Sequence, residues 1–170
     1  MNFTIQQKLI FGIQRLHIKI NLWSVVKNMK KYKIGYTTGV FDMFHIGHLN
    51  LIKRAKQQCD YLIVGVSTDD LVVSYKNKKP IIPFEERLAI VESIKYVDKV
   101  VPQITMDKMN AWNDLKFDVM FHGSDWKNSE MYNKIIDDFK TVGVDVVFLP
   151  HTEGISSTML SEILQKIKVQ

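Results

Sequence analysis

Two histidines three residues apart, His45 and His48, flank Gly47 in the run Thr38-Gly39-Val40-Phe41-Asp42-Met43-Phe44-His45-Ile46-Gly47-His48. With this spacing at the mouth of a helix, both imidazoles fall on one side of its first turn. Gly47 leaves room for a ligand's phosphates to approach the backbone. A helix N-terminus adds oriented N–H groups and positive potential. The chemistry open to such a set is phosphate binding with two imidazole donors. A metal site would need a third and a fourth ligand nearby, and the sequence offers no obvious Cys or His set for them. Two merely structural histidines are the alternative.

Further along lies Tyr75-Lys76-Asn77-Lys78-Lys79-Pro80. It reads either as a solvated basic loop or as cations held over several phosphate charges. Arg87, in the helix that follows, is either a phosphate contact or a surface ion pair. Ser156, Ser157 and Thr158 follow Gly154 at the start of a last helix. Their hydroxyls could cap that helix, donate to phosphates, or do both. No Ser-His-Asp or Cys-His arrangement for nucleophilic catalysis is evident.

The elements that must position these residues alternate. Lys33–Thr38 reads as a strand, followed by the histidine loop and a helix from about Ile46 to Gln57. Tyr61–Val66 is a continuous apolar run, as in a parallel strand buried on both faces. Pro83-Phe84-Glu85-Glu86 opens a helix through about Ile94, with proline and acids where a first turn favours them. Val97–Val101 is a strand ended by Pro102, and a weaker helix follows near Lys108–Leu115. Val119–His122 is a fourth strand, Glu130–Thr141 a helix closed by Gly143, and Val144–Leu149 a fifth strand. Strands separated by helices predict right-handed crossovers and an α/β, Rossmann-like, doubly wound five-stranded parallel sheet. Ligands of such sheets bind beyond the carboxyl ends of the strands.

The chain has 170 residues and near-average apolar and charged fractions, which excludes disordered and collagen-like classes. Its net charge of +5 hides an asymmetry. Met1–Lys33 carries seven Lys/Arg and no acid, which leaves about −2 for the remainder. The basic pI therefore describes a tail, and nucleic acid is not the expected partner. Within residues 1–31, Leu9, Ile13, Leu16, Ile20 and Trp23 form a helical stripe beside basic residues. That basic amphipathic extension could touch an anionic membrane surface, pack on the domain, or be a flexible leader. It lacks the pattern of a secretory signal. Residues 32–170 form the expected catalytic domain. Cys59 is the single cysteine, so no intramolecular disulfide can form, which suits a cytoplasmic location.

With these elements in place, T-G-V-F-D-M-F-H-I-G-H resembles the signature of the cytidylyltransferase family, and within it the small glycerol-3-phosphate cytidylyltransferases. The companion motifs sharpen the resemblance: Ser67-Thr68-Asp69-Asp70 after the second strand, Ile94-Lys95-Tyr96-Val97-Asp98 before the third, and Gly123-Ser124-Asp125-Trp126 after the fourth. Thr152-Glu153-Gly154-Ile155-Ser156-Ser157-Thr158 follows the fifth. The resemblance implies a nucleotidyltransferase that moves CMP from CTP, with Mg²⁺, onto a small phosphorylated alcohol. Glycerol 3-phosphate is the default acceptor, and the product would be a precursor for surface polysaccharide. An adenylyltransferase acting on a sugar phosphate is the rival, suggested by Lys79-Pro80-Ile81-Ile82-Pro83. A catalytically silent nucleotide-binding module is a second rival.

By the same resemblance, His45, His48, Lys76 and Lys78 would be catalytic. Lys76 and Lys108 would contact the acceptor. Thr38, Gly39, Val40, Phe41, Asp42, Gly47 and Arg87 would line the nucleotide site. Gly123, Asp125 and Trp126 would frame the nucleoside, although Trp126 could equally pack in the core. His151, Thr152, Glu153, Gly154, Ile155, Ser156, Ser157 and Thr158 would hold the triphosphate. His151 stands where many members carry arginine, and Lys95 stands where an arginine associated with the dimer interface is usual. A homodimer is expected.

Overall fold

The structure is a computed structural model that describes residues 30–167. The stripe from Leu9 to Trp23 lies outside the described residues. Five strands make one parallel sheet: β1 (Tyr32–Gly39), β2 (Cys59–Ser67), β3 (Lys99–Gln103), β4 (Val119–Gly123) and β5 (Asp145–Leu149). Their spatial order is β3-β2-β1-β4-β5. The chain winds outward from β1 through β2 to β3, then crosses to β4 and β5 on the other side. Strand order therefore reverses between β1 and β4, where such sheets place their ligands.

Six α-helices cover the faces: α1 (Ile46–Lys56), α2 (Asp69–Lys76), α3 (Phe84–Glu92), α4 (Lys108–Leu115), α5 (Glu130–Lys140) and α6 (Ser157–Ile167). A 3-10 turn, Ser124–Trp126, follows β4. On one face Leu62, Val64, Val66, Val119 and Phe121 pack against Ile52 and Ala55 of α1 and Val91 of α3. On the other, Tyr36, Ile63 and Met120 pack with Tyr132, Ile135 and Phe139 of α5, and Trp112 and Leu115 of α4 join them. With apolar groups on both faces, the central strands read as continuous apolar runs.

Two expectations change. Val97–Val101 is expected as the third strand, yet β3 runs Lys99–Gln103 through Pro102. As an edge strand, β3 can accept a proline that lacks a ladder donor. Helix α2 is absent from the sequence reading, although Thr68 caps it by accepting from the Leu71 N–H and two acids fill its first turn. Among the described residues, no helix is long and apolar enough to cross a membrane.

Candidate active site

The loop from β1 into α1 is held in a strained shape. Phe41 and Met43 take left-handed φ values of 54° and 46°, uncommon for residues with a Cβ and typical of functional loops. The Phe41 side chain anchors the loop, being 2% exposed. Both oxygens of the Asp42 carboxylate accept backbone N–H groups, from Ile81 and Ile82, each at 2.9 Å. Asp42 thus ties the histidine loop to the lysine loop between α2 and α3. Asp42 also lines the cleft.

Arg87 is fully buried, so its ion pair is not the surface pair that the sequence allowed. It donates to the carbonyls of Ile82, Val40 and Ser67 and pairs with Asp69 at 2.5 Å. One guanidinium therefore staples the ends of β1 and β2 to the lysine loop.

His45 caps α1. Its Nδ1 accepts the Gly47 N–H at 3.1 Å, which leaves the ring proton on Nε2. That nitrogen lies 3.4 Å from Ser157 Oγ, and the Ser157 hydroxyl donates to the Asp42 carbonyl at 2.9 Å. A Cβ on Gly47 would sit 2.8 Å from the His45 ring. The room Gly47 provides is thus taken by the imidazole, where the sequence reading placed a phosphate. His48 stacks on His45 with ring centroids 3.9 Å apart. Its Nδ1 is buried without a hydrogen-bond partner. Burial first, then the neighbouring His45, pushes its pKa down to about 3. His45 is lowered as well, by burial and then by nearby His151. At neutral pH the pair works as hydrogen-bonding rings with little charge.

Beside these histidines opens a cleft of about 700 Å³. It brings together Thr38, Gly39, Val40, Phe41, Asp42, His48, Lys76, Lys78, Lys108, Trp126, Ser157 and Thr158. Lys78 donates to Ser161 Oγ of α6 at 2.8 Å. Lys108 is only 4% exposed. Its ammonium makes no hydrogen bond or ion pair among the described residues. Its neighbour Asp107 is occupied in capping α4, accepting from Met109 and Asn110. Burial lowers the Lys108 pKa to about 8, against the raising effect of Asp107. It therefore remains mostly charged at pH 7.

The remaining expected residues do not line that cleft. Gly123 and Asp125 turn on each other, for a Cβ at Gly123 would meet Asp125 Oδ1 at 2.3 Å. His151 is exposed, and its N–H donates to Ser124 Oγ at 3.3 Å. Thr152 Oγ1 accepts from Asn50 Nδ2 at 3.1 Å, which docks the loop after β5 on α1. Gly154 carries a left-handed φ of 81° in the turn before α6. Ser156 caps α6 through the Met159 N–H at 3.1 Å. Glu153 and Ile155 share that turn, away from the cleft lining.

Sequence reasoning missed Gln103, His122 and Ser161, and gave Ser67 only as part of a companion motif; all four face the cleft. A signal existed for His122, a polar residue near the carboxyl end of a strand that is otherwise buried. Nδ1 of His122 accepts the Gly123 N–H at 2.9 Å. Burial is the main cause of its pKa falling to about 4.

The two depressed imidazoles set an acid limit to stability. Unfolded, each takes up a proton near pH 6.5; folded, His48 and His122 stay neutral to about 3 and 4. The unfolded state thus binds more protons below pH 6.5, and stability present above that pH is lost as pH falls. The expected slope is about 1.4 kcal/mol per pH unit for each group. Urea unfolding at pH 7, 6 and 5 measures it, and a flat stability over that range would contradict the burial of both rings.

Residues 36–163 match the family model described as cytidylyltransferase-like. The glycerol-3-phosphate cytidylyltransferase of Bacillus subtilis (strain 168) is 41% identical over 127 residues, covering 74% of this chain and 92% of that protein. The protein of that name from Staphylococcus aureus (strain NCTC 8325 / PS 47) is 36% identical over 129 residues, covering 75% and 92%. Among solved structures, the lipopolysaccharide core biosynthesis protein from Thermoplasma volcanium GSS1 aligns with a TM-score of 0.61 at 27% identity, over 73% of this chain and 99% of that one. A match over most of the chain, around a histidine loop opening on a cleft with four lysines, places this protein in the cytidylyltransferase-like family.

Proposed function

We propose that the protein transfers CMP from CTP to glycerol 3-phosphate, giving CDP-glycerol and releasing pyrophosphate. The observation that carries this reading is the junction of the stacked His45–His48 pair with a cleft lined by Lys76, Lys78 and Lys108. The relatives named glycerol-3-phosphate cytidylyltransferase supply the acceptor and the base. An oxygen of the acceptor phosphate attacks the α-phosphorus of CTP, a new P–O bond forms, and the bond to the β-phosphate breaks. A phosphate monoester loses its second proton near pH 6. The attacking oxygen is therefore already ionised, and no general base is required. The protein's task is to position the reactants and stabilise developing charge.

In this reading the neutral His48 ring donates to the α-phosphate oxygens as charge builds there. His45 holds the loop and carries its Nε2 proton toward the same region. Lys78 and the hydroxyls of Ser157 and Thr158 receive the β- and γ-phosphates, Lys76 receives the acceptor phosphate, and Lys108 contacts the acceptor nearer its other end. Mg²⁺ is expected to arrive with CTP. Among the described residues no group of three His, Cys, Asp or Glu could cage it, and both Asp42 oxygens are already engaged. The described residues alone do not make a Mg²⁺ site, so the ion would draw its ligands mainly from phosphate and water. A homodimer, a cytoplasmic location and a role for CDP-glycerol in surface polysaccharide belong to the same proposal.

Incubating the protein with CTP and glycerol 3-phosphate and identifying CDP-glycerol by mass tests it. CTP consumption without that product would reject the acceptor. A pH profile adds a second check. With Lys108 titrating at about 8, the acceptor KM should rise as pH increases from 7.5 to 9, because the cation is lost while the acceptor stays dianionic. Lys108→Met should show the raised KM already at pH 7 and a flat profile. A rise unchanged in that variant would assign it to another group.

A further inference from the structure

The cleft crosses the carboxyl edge of the sheet, and its two sides differ. His48 lies on the α1 side, its ring against Phe41 and Phe44. His122 lies on the other side, edge-on to Trp126 at 5.4 Å and to Tyr132 at 4.8 Å. Tyr132, on the inner face of α5, is part of the core and 2% exposed. The His122 ring is therefore fixed on both edges, and its Nδ1 is spent on the Gly123 N–H. Its proton must sit on Nε2, which makes no hydrogen bond among the described residues. The ring faces the cleft, as do Lys108 and Gln103. This end of the cleft thus offers one neutral N–H donor close to a buried ammonium.

We propose that His122 is a specificity-determining residue: its Nε2–H hydrogen-bonds a hydroxyl of the acceptor, and together with Lys108 it selects a neutral polyol phosphate over one ending in an ammonium group. This rests on the nucleotidyl-transfer reading above. The acceptor's phosphate must reach the His48 side, where the α-phosphate is attacked, so its far end extends toward His122. A cationic head placed there would meet Lys108. Trp126 and Tyr132 could otherwise attract such a head through their ring faces. Asp42 offers it no free carboxylate, since both oxygens hold backbone N–H groups. The remaining carboxylate on the cleft, Glu162, is exposed on α6, and Asp125, whose charge also reaches His122, turns on Gly123 and does not line the cleft.

A matrix of enzyme variants against acceptors tests the proposal. Wild type, His122→Phe and His122→Gln are assayed for pyrophosphate release with CTP and three acceptors: glycerol 3-phosphate, propyl phosphate and phosphoethanolamine. Wild type should use glycerol 3-phosphate about 10-fold or more better, in kcat/KM, than propyl phosphate, the size of one lost hydrogen bond to a buried donor. Phosphoethanolamine should be poorer still. His122→Phe keeps a ring in place without the donor. It should bring glycerol 3-phosphate down to the propyl phosphate level while leaving propyl phosphate and the KM for CTP unchanged. His122→Gln restores an N–H near the same place and should recover part of the discrimination, including where the Phe variant folds poorly. Equal losses for both esters would show that His122 acts on the phosphate or through the fold, and would overturn the proposal. So would unaltered discrimination, or wild-type turnover of phosphoethanolamine matching that of glycerol 3-phosphate. Absence of turnover by wild type with every acceptor would instead remove the nucleotidyl-transfer reading, and this proposal with it.

Discussion

Alanine at His48 should lower kcat by on the order of 10²-fold or more, as for loss of a donor aimed at developing negative charge in a partly dehydrated site. The ring is stacked on His45 and packed between Phe41 and Phe44. It therefore needs little reorganisation as the reaction proceeds. It is also held neutral, with its pKa near 3 in the free protein, so it contributes a directed hydrogen bond more than a charge. The KM for CTP should change much less than kcat, because the interaction strengthens only as the α-phosphorus becomes five-coordinate. His48→Ala is cleaner than His45→Ala, which also strips the α1 cap from the Gly47 N–H and costs about 1 kcal/mol of stability. Single-turnover rates on a variant with unchanged circular dichroism would decide the matter. Turnover within a few-fold of wild type would return the pair to a packing role.

Arg87→Ala should destabilise the fold by about 3–5 kcal/mol, the usual consequence of removing one partner from a buried charge network. The substitution strands the Val40, Ser67 and Ile82 carbonyls and leaves Asp69 without its cation. Arg87→Lys should recover only part of this. A single ammonium on a flexible stem cannot span acceptors that a planar guanidinium reaches in a fixed fork. Because the same side chain joins the β1 and β2 ends to the lysine loop, both variants should also lose activity beyond what their folded fraction explains. Urea unfolding at pH 7 gives the stability. A loss below 1 kcal/mol for the alanine variant would mean that these loops hold together without the staple.

The contrast between Arg87 and His48 indicates what the sequence made legible. The sheet could be read because buried parallel strands write themselves as apolar runs, such as Tyr61–Val66, and because helix starts carry caps and acids. The histidine loop could be read because two imidazoles at that spacing beside a glycine have few structural uses. Whether a polar side chain faces the cleft or the protein's own backbone was not legible, since that depends on which loops meet at the sheet edge. Asp42 and Arg87 sit in motifs suited to ligand binding, yet they spend their donors and acceptors on Ile81, Ile82, Val40 and Ser67. Gln103 carried no signal and His122 only that of a polar residue near the end of an apolar strand; the adjacency of β3 to β2 and of β4 to β1 brings them to the cleft. Helix α2 was hidden for a local reason: its eight residues are too few to show a helical period, and only the Thr68 cap and two acids announce it.

CTP-dependent transfer to glycerol 3-phosphate is measured by following pyrophosphate release from purified protein with each of CTP, ATP, GTP and UTP against glycerol 3-phosphate and a panel of sugar phosphates. Robust release is expected with CTP and glycerol 3-phosphate, and at most weak release with ATP on any acceptor. Equal or faster turnover of ATP with a sugar phosphate would contradict it and leave the adenylyltransferase reading in its place.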